Sequence, residues 1–175
     1  MTIDDVIAQL TKIVDWARST PSKLGYFAAL YRKVTTQVRQ GIADGRFQDG
    51  PRMEKLDVIF ATRYLDAFAA FRDGHPVTHS WRVAFESSGR WSLLILQHLL
   101  VGMNAHINLD LGIAAAQVAP GVELAALEHD FGEINSILFS LVSGVEREIG
   151  AVSPWIQWLE TIGGKTDEVI VEFSL

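Results

Sequence analysis

One stretch, LILQHLLVGMNAHINLDLG from Leu94 to Gly112, concentrates the side chains with chemical reach. Within it His106 and Asp110 stand one helical turn apart, close enough to share a metal ion or a hydrogen bond. A histidine oriented by a carboxylate suits a general base. His98, Gly102, His106 and Asp110 follow one another at four-residue steps, while Gln97, Asn104 and Asn108 line up on another side. At 1.5 Å per residue His98 is about 12 Å from His106, so an unbroken helix does not bring both to one metal. Gly102 between them leaves room for a neighbouring helix or a ligand. Gln97, His98, Asn104, His106 and Asn108 are costly in a buried helix unless they surround water, a ligand or an ion.

A second candidate is Asp57. From Pro51 to Arg72, Met53, Phe60, Tyr64, Phe68 and Phe71 form an apolar stripe whose centre lies within about 30° of Asp57. Asp57 thus occupies a core slot and needs a cation, hydrogen bonds or a raised pKa. A structural bond to a tyrosine or histidine of a neighbouring helix would serve equally well. Further on, His129 and Glu133 have metal-ligand spacing, but His129 lies about 170° from the Leu127–Phe131–Ile134–Leu138 seam. Both are expected at the surface, whereas Asp130 and Asn135 flank the seam and are better placed to reach inward.

These residues suggest a pocket in which His106 is a metal ligand or general base, Asp110 orients it, and Asp57 adds a carboxylate from a facing helix. His98, Asn104, Asn108, Tyr64 and Asp130 would line the substrate space. A divalent metal held by His106, Asp110 and Asp57 through nitrogen and oxygen would be zinc, iron or manganese. The expected chemistry is hydrolysis or a lyase reaction on a small or lipid-like substrate. The alternative is a non-catalytic bundle that binds a ligand or a protein partner, and a homo-oligomer is compatible with either.

The elements that must hold these groups are read from apolar spacing and from prolines at 21, 51, 76, 120 and 154. None of the prolines interrupts an apolar stripe, and proline is accepted in a first helical turn. Ile3, Val6, Ile7, Leu10, Ile13, Val14 and Ala17 predict a first helix with a Thr2/Asp5 capping box. Leu24 to Ile42 predicts a second, Pro51 to Arg72 a third, and Thr78 to Glu86 a short fourth. The long apolar stretch from Trp91 follows, and Leu124 to Val145 forms a bundle helix. The tail VIVEFSL reads as a strand or a truncated helix. The expectation is one all-α domain over residues 1–175, with six or seven helices around a buried central helix.

Composition narrows the function classes. The 175 residues are 49% hydrophobic and 21% charged, enough for a core and unlike a disordered tail. The absence of cysteine excludes disulfides, thiolate zinc sites and a cysteine nucleophile. Fifteen basic residues against 21 acidic, net −6, argue against nucleic acid as a partner. The acidic N-terminus MTIDDVIAQL lacks the charge of a secretory signal, which points to the cytoplasm. Trp91 to Leu109 carries no Asp, Glu, Lys or Arg, but its amides and histidines are costly in hydrocarbon, so no membrane span is expected. Phosphate-binding glycine loops, GxSxG, HExxH and Glu-x-x-His are all missing.

In GMNAHINLDLGIA, FQDGPRMEKLDVIFATRYLDAF and HDFGEIN the chain resembles the bacterial domain-of-unknown-function family 5995 over nearly its whole length. The resemblance implies an all-α fold, supplies no activity, and implies a further helix beyond FSL, so that this chain ends early. His106-xxx-Asp110 and His129-xxx-Glu133 also look like the paired motifs of zinc-dependent phospholipase C. That likeness departs in having no histidine between Asp110 and His129 and Met1 in place of an N-terminal tryptophan ligand.

Overall fold

The structure, a computed structural model, describes residues 1–89, 95–120 and 127–152, and all regular structure among them is helical. Helix α1 (Ile3–Ser19) begins on the expected capping box, with the Asp5 N–H donating to Thr2 at 3.2 Å and the Thr2 N–H to Asp5 at 2.7 Å. Its buried face is Ile3, Val6, Leu10, Ile13, Val14 and Ala17. A short connection returns the chain as α2 (Gly25–Ala43), which packs closely on α1. At Gly25 the backbones approach so nearly that an added Cβ would collide with the Cβ of Ala17.

Helix α3 (Gly50–Arg72) starts after Asp49, whose side chain accepts from the Arg52 N–H at 3.0 Å. Pro51 stands in its first turn, where no intrahelical bond is lost. Arg72 ends the helix with its guanidinium 4.2 Å from the Trp16 ring centre, tying α3 to α1. Helix α4 (His79–Ser87) inserts Trp81 and Phe85 into the common core. That core joins Val6, Leu10, Ala28, Tyr31, Tyr64, Phe68 and Ala105.

The central segment runs as α5 (Ile95–Ala105), a π-helical turn (His106–Leu111) and α6 (Gly112–Val118). Two features differ from the sequence reading. The helix is not uniformly α, and it is not enclosed on all sides: Leu100 is 54% exposed and Ile107 39%. His98, Leu99, Ala105, His106, Asp110, Ala114 and Ala115 form its inner face. Gln97–Val118 is long and apolar enough, by length and composition, to cross a membrane.

Helix α7 spans Glu128–Val152. The chain divides into two compact units, Met1–Ile137 and Leu138–Leu175, and of the second the described part is the end of α7. In the first unit the α7 seam is rotated from the expected one: Leu127, Asp130 and Ile137 are buried, while Phe131 and Ile134 are half-buried. Leu124, Trp91 and the VIVEFSL tail lie outside the described residues.

Candidate functional site around His106

Asp110 is fully buried and bound from three elements. Its Oδ1 accepts from Arg63 Nε of α3 at 2.7 Å, and its Oδ2 accepts from Trp81 Nε1 of α4 at 2.9 Å. His106 Nδ1, one turn back in the π-helical segment, lies 3.5 Å from the same Oδ2. Burial alone would raise the Asp110 pKa. The bonds from His106, Arg63 and Trp81, with the Arg63 charge, outweigh it and hold the carboxyl below its usual range.

His106 is itself buried in aromatic rings. Phe60 stacks on it with centroids 3.5 Å apart and planes 7° apart, and Tyr31 meets it at 4.6 Å. Phe27 and Trp81 stand at 5.7 Å and Tyr64 at 6.3 Å. Burial lowers the imidazole pKa against the opposing pull of Asp110, so the ring is neutral at pH 7. With Nδ1 directed at a carboxylate, the favoured tautomer carries its proton there and leaves a lone pair on Nε2. That Nε2 is buried and has no hydrogen-bond partner among the described residues.

Other unpartnered groups lie on the facing helices. Tyr31 OH and Thr35 Oγ1 are one turn apart on α2, and Asp57 Oδ2 and Tyr64 OH lie on the buried face of α3. Burial, and then the Glu54 charge, raise Asp57 to about 7. Burial also raises Tyr31, helped by the fields of Asp57 and Asp110, so this phenol feels both carboxyls. An unsatisfied buried polar atom costs about 1–3 kcal/mol, which is why such atoms ordinarily meet water or a ligand.

The remaining expected site residues are placed apart from this group. Asn104 and Asn108 are exposed, and the Asn108 amide donates to the Asn104 carbonyl on the outer side of the helix. His98 is buried two turns before His106, as its spacing required. Asp130 is fully buried but engaged in structure. Its oxygens accept the backbone N–H groups of Gln48 at 2.7 Å and Asp49 at 3.2 Å, at the threshold of α3. Burial pushes Asp130 upward, yet the Gln48 N–H, His129 and the Asp49 N–H hold it below its usual range. Asn135, expected to reach inward, is exposed.

The metal arrangement is not assembled. Among the described residues no three His, Asp or Glu side chains come together in a way that could hold a metal ion. His106, Asp110 and Asp57 therefore do not form the expected ligand set, and the Arg63 guanidinium sits where a cation would neutralise Asp110. Nor do the phospholipase-like motifs combine: His129 turns to Asp130, and Glu133 pairs with Arg46 at 2.8 Å. Glu133 is half-buried rather than open to solvent.

Sequence reasoning missed Arg63, Trp81 and Phe27. Arg63 lies off the α3 stripe and 47 residues from its carboxylate, so no spacing rule connects them. The only available signal was that a buried Asp110 demands a cation. Trp81 lies 29 residues from Asp110 along the chain, beyond the reach of any helical spacing rule. Phe27 fills the notch that Gly102 leaves.

A family model described as "Family of unknown function (DUF5995)" matches residues 3–175. No curated protein and no solved structure matches the chain.

Proposed function

The chain belongs to the DUF5995 family of unknown function, and we propose from the site geometry that it is an acid–base enzyme acting on a small polar substrate by hydrolysis or elimination. His106 is the general base through Nε2, Asp110 orients its ring, and Asp57 is the carboxyl that keeps a proton near neutrality. The observation that carries this reading is the unpartnered Nε2 of a neutral imidazole backed by a firmly held carboxylate. The 3.5 Å separation from Asp110 is long, as catalytic hydrogen bonds often are before substrate binds. His106 and Asp57 are pushed in opposite directions, the pattern that separates a base from an acid. The Tyr31 and Tyr64 hydroxyls would donate to an oxygen of the substrate.

A second reading is a ligand-binding bundle without turnover, favoured by the close stacking of Phe60 on His106. Two measurements separate them. Long-range ¹⁵N NMR at pH 7 should find His106 neutral and protonated on Nδ1; an Nε2–H tautomer or an imidazolium overturns the base assignment. In a screen of small esters and β-hydroxy acids, turnover should fall at least about 100-fold in His106→Gln. Binding of a screened compound with no turnover would favour the second reading.

A further inference from the structure

The Asp110 carboxylate has two oxygens, and the fold uses them differently. Oδ1 accepts from Arg63 Nε of α3 at 2.7 Å. Oδ2 is shared between Trp81 Nε1 of α4 at 2.9 Å and His106 Nδ1 at 3.5 Å. A firm donor on each oxygen, from two different helices, keeps the carboxylate from turning, so α3 and α4 set the edge that meets the imidazole. The guanidinium draws negative charge toward Oδ1 and away from the ring, and its own field opposes a second proton on His106. The rings packed on His106 add no charge: Phe27 and Tyr31 come from α2, Phe60 and Tyr64 from α3, and Trp81 from α4. Burial raises both phenols, which are therefore neutral. The Arg63 side chain is 30% exposed, against 1% for Asp110 and 5% for His106, so in this trio it is the member open to solvent.

We propose that Arg63 is a positioning residue for His106: acting through Asp110 from the edge of the core, it fixes the carboxylate edge that meets Nδ1 and, with it, the tautomer and basicity of the ring. Without Arg63 the buried Asp110 charge would have only Trp81 and His106 to answer it, and the ring would answer by taking a second proton. The lone pair on Nε2 would then be lost. The inference rests on the acid–base reading for the use of the ring, but not for its state.

Long-range ¹⁵N NMR titration of His106 in the full chain tests this, with Arg63→Met and Arg63→Lys each made alone and together with Asp110→Asn. Arg63→Met should raise the proton affinity of His106 at least about tenfold. It should also shift the Trp81 indole proton, as Oδ2 takes more of the charge. Arg63→Lys keeps the charge but loses the planar fork, and should show about half of that rise on a logarithmic scale. It carries the test in the same way if Arg63→Met does not fold. With Asp110→Asn, either change at Arg63 should move the ring less than about a third as far. An unchanged His106, or an equal shift with and without Asp110, overturns the inference. A wild-type ring that is charged or protonated on Nε2 at pH 7 removes only the acid–base reading, provided that the Arg63 variants still shift it as stated.

Discussion

Asp57 and Asp110 are both buried carboxyls, but only Asp110 is surrounded by donors, and their acidities move in opposite directions. Asp110 has a guanidinium, an indole N–H and an imidazole; the Asp57 Oδ2 has no partner among the described residues. A carboxyl raised from 3.8 to about 7 leaves folding unpenalised below pH 3.8. As pH rises from there, the unfolded chain ionises while the folded one resists, so stability falls until about pH 7 and then levels. Asp57→Asn keeps the shape and abolishes that titration. Relative to its difference from wild type at pH 4, the variant should gain roughly 2–4 kcal/mol at pH 8, at about 1.4 kcal/mol per pKa unit. Denaturant melts at the two pH values check this, and an equal difference at both would refute it. The burial of Asp57 was legible because it interrupts an aromatic stripe; the surroundings of its Oδ2 were not, since helices distant along the chain decide them.

Between elements, contact depends on small residues and on carboxylates that reach across. Gly102 lets the Phe27 ring seat against α5; an added Cβ would stand 2.7 Å from Phe27 Cδ2 and 2.9 Å from its Cγ. That ring is confined by Tyr64 at 5.0 Å, Trp81 at 5.8 Å and His106 at 5.7 Å, so it has little space to yield. Gly102→Ala should therefore destabilise the protein by about 1–3 kcal/mol, despite the better helix propensity of alanine. A variant melting at or above the wild-type temperature would contradict this packing. Asp130 works in the opposite way, by bonding: it holds the chain entering α3 through two backbone N–H groups. Asp130 and Ile137 both lie on the buried side of α7 in the first unit.

Across the whole molecule, pH sets these buried groups against one another. Asp110 and Asp130, with lowered pKa values, contribute stability above the ordinary carboxylate range and lose it as pH falls through their folded values. His106, also lowered, resists protonation in the fold, so its contribution is lost as pH falls below 6.5. Asp57 acts oppositely over nearly the same window. Between pH 4 and 6.5, stability should rise with pH in Asp57→Asn, fall with pH in His106→Gln, and take an intermediate slope in wild type. Parallel slopes in the three proteins would show that these two groups do not control the profile.

The sequence by itself determined the all-α class, the capping box of α1, the start of α3 and the burial of Asp57, His106 and Asp110. These follow from local backbone chemistry and from apolar periodicity, which act over a few residues. Only the tertiary structure decided which polar groups meet. It brought Arg63 and Trp81 to Asp110, left Asn104 and Asn108 outside, and committed Asp130 to the entrance of α3. Periodicity places a side chain on a face, but its hydrogen-bond partner is chosen by helices distant along the chain. At this site that choice set a guanidinium against Asp110 and left the His106 Nε2 without a hydrogen-bond partner among the described residues.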